Sequence, residues 1–125
     1  MLRFLFICLG GAAGTGARYL FGRGAQRAFG LGFPYGTLGV NLIGSFLIMV
    51  IVQVIIARGE TTPDLRLVLT TGVMGGFTTY SSFNYETVQF LRAGAVGLAL
   101  LNVGVTLIGC LVAGGLGLIL ARWIS

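Results

Sequence analysis

The sequence predicts an all-α membrane protein with four transmembrane helices, the third broken near Gly75–Thr79. Three observations carry this expectation. Hydrophobic residues make up 56% of the 125 and charged residues 9%, with a mean hydropathy of +0.98. A soluble domain of this size keeps much of its surface wet and has no means of hiding so much apolar area. About 20 apolar residues cross a bilayer, so length and composition allow about four spans in a single domain, residues 1–125. One span-length segment, Gly72 to Glu86, gives up its hydrophobicity for glycines, hydroxyls, an amide and aromatic rings (GVMGGFTTYSSFNYE). An unpaired polar group in hydrocarbon costs several kcal/mol, so such a stretch must face protein or water. Irregular polar backbone at membrane depth lines a cavity or a path for something small.

The first span is expected over about residues 4–21. Its Gly10 and Gly14 form a G-x-x-x-G spacing that lets another helix backbone come close. It carries no G-x-G-x-x-G or Walker pattern, so a phosphate loop is excluded. Arg18, near its end, either snorkels or lines a vestibule. Gly22 to Gly36, with Arg23, Arg27 and Pro34, forms the expected first loop. The second span, about 37–57, is the cleanest, and at ~1.5 Å per residue it covers a core of ~30 Å. Arg58 to Asp64 makes a polar loop. The third segment, about 65–91, is expected to break around Gly75-Gly76 and to restart through Tyr80 to Leu91. Arg92-Ala93-Gly94 then turns the chain into the fourth span, about 95–120, with Arg122-Trp123 as an interfacial anchor. The first apolar run continues into a glycine-rich span without a small-residue cleavage site, so no cleaved signal is expected.

The charges are eight Arg, two Glu and one Asp, with neither Lys nor His. The arginines are scattered rather than gathered into a patch, which argues against a nucleic-acid partner. Most of them read as loop and interface anchors. Cys8 and Cys110 both fall inside expected spans and read as small packing residues, leaving no zinc set and no disulfide. One span acid and no nucleophile–base constellation leave nothing to run an enzyme mechanism. Four spans place both termini and the second loop on one side, with Arg3, Arg58, Arg66 and Arg122. Arg23, Arg27 and Arg92, with Arg18 close by, face the other. Orientation requires an Arg/Lys excess on one side. Without one the chain is expected to insert both ways up and to assemble as an antiparallel, dual-topology homodimer with its two-fold axis in the membrane plane.

Polar residues recur at helical spacing. Thr37, Asn41 and Ser45 share one face of the second span, and Asn102, Thr106 and Cys110 one face of the fourth. In the third segment Thr79, Ser82 and Glu86 stack along one side, with Tyr80, Phe83 and Thr87 along the next. Taken singly, each is an interhelical hydrogen bond worth ~0.6 kcal/mol; together they point to a shared polar path. Cation routes are commonly ringed by Asp or Glu, whereas Glu86 is the lone acid within a span. Amide and hydroxyl groups donate hydrogen bonds, phenyl ring edges are electropositive, and a restarting helix presents N–H groups and a positive dipole end. These features suit a small anion. Ordinary aromatic packing is the competing account of Tyr80 and Phe83. Glu86 reads either as a proton or ion relay or as a hydrogen-bonded structural acid.

Three pieces, in order across the first three of the four spans, carry a resemblance: Gly14-x-x-x-Arg18, Gly36-Thr-Leu-Gly-Val-Asn-Leu42, and Thr71-Gly-Val-Met-Gly-Gly-Phe-Thr-Thr-Tyr-Ser-Ser-Phe-Asn-Tyr-Glu86. The last is similar to the TG-x-x-GG-[LF]-[ST]-T-[FY]-S-[ST]-F pattern, and essentially the whole chain resembles the Fluc/CrcB family of fluoride channels. The resemblance implies an antiparallel homodimer with two fluoride pathways in a prokaryotic plasma (inner) membrane, passively exporting cytoplasmic fluoride. It maps the pore amide to Asn41 and the ring edges facing fluoride to Tyr80 and Phe83. Neighbouring hydroxyls fall at Thr79, Ser81 and Ser82; Thr37 and Thr106 belong to the polar stripes beside them. Arg18 matches a vestibule arginine. A structural Na⁺ at the dimer centre is implied on the backbone carbonyls of Gly75 and Thr78. The chain departs from the pattern at Tyr80, where Phe is frequent, and at Asn84, where Ser is common. Cys110 and Gly114 stand where some members have hydroxyl residues. The competing function is a small antiparallel proton-coupled multidrug exporter, which needs a membrane carboxylate, usually in the first span; here Glu86 would have to serve. A subunit concerned only with assembly would explain the glycines but not the stripes.

Overall fold

Long runs of Leu, Ile, Val and Ala without proline give three extended helices. The computed structural model describes residues 1–59 and 63–125. Among the described residues, every regular element is helical. The long elements are α1 (Leu2–Phe29), α2 (Tyr35–Arg58) and α6 (Val96–Ile124), each long and apolar enough to cross a membrane. Between α2 and α6 come α3 (Pro63–Leu67), a π-helical stretch (Val68–Met74), a single turn α4 (Gly75–Phe77) and α5 (Tyr80–Arg92). At ~1.5 Å per residue the 13 residues of α5 reach only about 20 Å. A third crossing of a ~30 Å core therefore needs the elements from α3 to α5 in succession.

Two boundaries differ from expectation. α1 continues through residues 22–29, which the sequence suggested as loop, and the first connection shrinks to residues 30–34. Ala25, Gln26, Arg27 and Ala28 are favourable in a helix and outweigh Gly22 and Gly24, each costing only ~1 kcal/mol. The stop comes at Gly30, whose φ of 80° is open to glycine and whose N–H donates to the Gln26 carbonyl. At the other end, α6 runs past Arg122 and Trp123 to Ile124.

A further difference concerns the break. Gly75 and Gly76, expected to interrupt the third segment, are helical, and the chain leaves the helix two residues later. Thr78 (φ −84°, ψ 160°) and Thr79 (φ −154°, ψ 114°) are extended. The glycines serve close packing instead. A Cβ on Gly72 would lie 2.8 Å from the Ile7 carbonyl oxygen, and one on Gly76 would collide with the Gly11 carbonyl. From the opposite side, a Cβ on Gly10 would lie 3.0 Å from the Val68 carbonyl oxygen, and one on Gly14 would collide with the Val73 carbonyl. The G-x-x-x-G of α1 thus interlocks with the π stretch, backbone against backbone. α2 packs mainly on α6, where Gly109 and Gly117 admit Leu42 and Phe46.

Polarity is arranged inside out. Asn41, Thr79, Asn102 and Thr106 are buried beside Val40, Ala99 and Ala121, while many Leu, Ile and Phe side chains of α1 and α6 point outward. This is the distribution a hydrocarbon solvent demands. Arg3 and Asp64 form an ion pair that joins the start of α1 to α3, placing them at one end of the bundle.

The interlock predicts an asymmetric response to added methyl groups. Gly14→Ala should destabilise the folded protein by about 1–3 kcal/mol. Gly16→Ala, with nothing within 4 Å, should leave stability unchanged or raise it slightly. Equilibrium unfolding in detergent micelles reads the difference.

Candidate functional site

A helix broken inside a membrane must find partners for the backbone groups it frees. Here the partners are side chains from two other helices. Asn41 of α2, 9% exposed, accepts from the Thr79 N–H through Oδ1 (2.8 Å) and donates through Nδ2 to the Thr79 carbonyl (3.0 Å). One amide therefore satisfies both backbone groups of the residue at the break. Arg18 of α1 donates to the Thr78 carbonyl at 3.3 Å. The Thr79 hydroxyl caps α5 by accepting from the Ser82 N–H (3.2 Å), donates to Ser82 Oγ (3.0 Å) and lies 3.2 Å from Ser81 Oγ. The Thr78 hydroxyl turns back to the Met74 carbonyl.

The stripes read from the sequence meet in pairs. Asn41 faces Thr79, and one turn earlier on α2 Thr37 donates to Glu86 Oε1 at 2.6 Å. From α6, Asn102 donates to Thr87 Oγ1 (2.9 Å), which donates to the Phe83 carbonyl (2.8 Å). This relay fixes the register of α5 on α6 and with it the Phe83 ring, which is buried. The Tyr80 ring lies 5.6 Å from that of Phe83, tilted by 56°, and is 76% exposed. Two buried oxygens lack a partner on these faces: Glu86 Oε2 and Thr106 Oγ1.

Two grooves follow. The larger, about 480 Å³, is lined by Asn41, Ser45, Gly75, Thr78, Thr79, Tyr80, Phe83, Thr106 and Cys110 among others. The smaller, about 370 Å³, holds Thr37 and Glu86 with Gln26, Gln89 and the rings of Phe33, Tyr35, Tyr85 and Phe90. Residues expected to form one path are thus divided between two grooves, with α2 contributing Asn41 to one and Thr37 to the other. Ser81 and Ser82 sit beside Thr79 but line neither groove. Arg18 reaches the break from the α1 side. The aromatic and amide lining of the smaller groove was not singled out from sequence. Phe33 and Tyr35 flank Pro34 in the connection, and Gln89 and Phe90 follow Glu86 by one turn, so helical spacing was the available signal.

The family model described as CrcB-like protein, Camphor Resistance (CrcB), matches residues 5–118. The chain belongs to the CrcB family. It is 51% identical over 125 residues to a protein of Anaeromyxobacter sp. (strain K) named fluoride-specific ion channel FluC, covering 100% of this chain and 99% of that one. A protein of the same name from Sorangium cellulosum (strain So ce56) is 52% identical over 122 residues, covering 98% and 96%. Another, from Geobacter sulfurreducens, is 43% identical over 122 residues, covering 98% of each.

Removal of the Asn41 amide should leave the Thr79 N–H and carbonyl unpaired. Asn41→Ala is expected to cost about 2 kcal/mol or more and to raise amide exchange at Thr79 and Tyr80 above that of α2, read by hydrogen–deuterium exchange in micelles.

Proposed function

We propose that this CrcB-family chain is a fluoride-selective ion channel that exports cytoplasmic fluoride passively across a prokaryotic plasma membrane, lowering its toxicity. The observation carrying the reading is the buried Asn41 amide beside a groove lined by donors and aromatic residues, in a chain about half identical to proteins named fluoride-specific ion channels. Asn41 spends one N–H on the Thr79 carbonyl and keeps a second for an acceptor. Thr106 offers a hydroxyl without a protein partner. Fluoride enters past Arg18, exchanges water for these donors and passes the ring edges of Phe83 and Tyr80. Thr79 is a further hydroxyl of this groove and Ser81 and Ser82 stand beside it, while Thr37 would extend the route into the second groove. Glu86, held by Thr37, borders it as a polar relay. A small, strongly hydrated anion gains most from compact hydrogen-bond donors in a narrow route, the basis proposed for selectivity against chloride.

The assembly proposed is an antiparallel, dual-topology homodimer. The larger groove is open on one side along Tyr80, Leu107 and Leu111, and a second copy of the chain would close it. The even division of arginines supports insertion both ways up.

A structural Na⁺ at the dimer centre fits the carbonyls of this chain. The Gly75 carbonyl loses its helical donor because the Thr79 N–H turns to Asn41, leaving an oxygen for a hard cation. The Thr78 carbonyl accepts one long bond from Arg18 and keeps its second lone pair. The ion would tie the two copies together at the break without being transported.

Liposomes loaded with fluoride or chloride, with valinomycin and potassium setting the voltage, test the reading. Fluoride should leave while chloride stays, with no proton gradient required. Retention of both ions by folded dimer in Na⁺ buffer would reject the channel. Asn41→Asp and Phe83→Ile should each slow fluoride by about tenfold or more, about 1.4 kcal/mol on the barrier. Near-normal flux in both would remove these residues from the route. Replacing Na⁺ with a large organic cation should abolish fluoride flux, while radioactive Na⁺ stays outside.

A further inference from the structure

We propose that Cys110 is a modification site through which small, uncharged, electrophilic sulfur compounds close the larger groove. The inference rests on the channel function proposed above. Cys110 carries a free thiol, partly exposed, on the α6 face that also bears Asn102 and Thr106, and it lines the groove shared with Asn41, Thr79 and Phe83. One turn away, Thr106 is 7% exposed, lines the same groove, and its hydroxyl has no protein partner. A buried hydroxyl without a partner calls for water or an anion beside it. The groove thus has an unanswered hydroxyl one turn from the thiol, and a small reagent that enters it reaches Sγ.

Bulk added at Cys110 enters the groove that the residue lines. α6 packs closely on α2 near this residue: a Cβ on Gly109 would lie 2.7 Å from Leu42 Cδ2, and one on Gly117 would collide with the Phe46 carbonyl. Packed helices do not part for a few added atoms. The adduct fills the groove instead. Cys8, the other cysteine, is exposed on α1 and lines neither groove.

The chemistry balances with a thiosulfonate reagent. The Cys110 thiol gives its proton to water. The thiolate then attacks the divalent sulfur of methyl methanethiosulfonate: a new Sγ–S bond forms, the S–SO₂ bond breaks, and methanesulfinate leaves with the electron pair. A dithiol reverses the change by two exchanges, ending as its own cyclic disulfide while the Cys110 thiol is restored and the methylthio group leaves as methanethiol.

The test uses full-length Cys8→Ser protein in fluoride-loaded liposomes. Methyl methanethiosulfonate should add one methylthio group to Cys110, located by peptide mass spectrometry. Fluoride efflux should fall about tenfold as the constriction fills and recover with dithiothreitol. The Cys8→Ser, Cys110→Ser double variant, whatever its own starting efflux, should not respond to the reagent. Full labelling with unchanged efflux, equal inhibition of the double variant, or no label on Cys110 where Cys8 of the unsubstituted protein is labelled would each overturn the proposal. Untreated protein that passes no fluoride fails as a channel, and closure of the pathway fails with it; the label then reports separately whether the groove admits the reagent.

Discussion

The bidentate contact of Asn41 with the backbone of Thr79 is the constraint on which the rest of this structure depends. Two extended residues in the middle of a membrane-spanning segment release N–H and carbonyl groups that lipid has no means to pair. Asn41 takes both groups of Thr79, Arg18 takes the Thr78 carbonyl, and the Thr79 hydroxyl caps the helix that follows. With the break satisfied from α1 and α2 together, α5 restarts in a fixed direction. Tyr80, Phe83 and Glu86 then acquire definite positions. An unsatisfied break would be a costly defect; a satisfied one gives a rigid, polar wall at membrane depth.

The break also needs a platform, which small residues supply. Gly10 and Gly14 of α1 and Gly72 and Gly76 of the third segment let two backbones touch. The π stretch Val68–Met74 lies within this contact zone. A wide turn followed by a close helix crossing brings Arg18 within reach of Thr78. Packing at one end of the segment thus sets electrostatics at the other, since a long polar side chain reaches only what the backbone distance allows.

On the opposite side, α6 holds α5 through side chains. The relay from Asn102 through Thr87 to the Phe83 carbonyl fixes a ring that faces the larger groove. The groove combines donors with apolar walls and opens sideways, so a second copy of the chain completes it in the assembly proposed. The pairing of Thr37 with Glu86 belongs to a separate, aromatic-lined groove. α2 and α5 line both grooves, which makes the polar faces they share the organising surface of the site.

Composition and hydrophobic run length determined the membrane class, the three long helices and the presence of a broken polar segment between the second and the last, because hydrocarbon tolerates neither scattered charges nor unpaired polar backbone. Helical spacing determined which hydroxyls and amides share a face, and the ordered motifs pointed to the family. Spacing along a helix says nothing of which faces meet, so the pairings of Asn41 with Thr79, Thr37 with Glu86 and Asn102 with Thr87 belong to tertiary packing. The same limit displaced the break. Glycine has no Cβ and serves equally to end a helix or to admit a neighbouring backbone, and only the presence of α1 against Gly72 and Gly76 decides for the second. Likewise, residues 22–29 hold a helix that local glycines made to look like loop, since the stop required the positive φ of Gly30. The sequence by itself determined what each residue offers, while the packing of α1, α2 and α6 decided where each offer is taken up, because a hydrogen bond exists only where two helices bring its halves within about 3 Å.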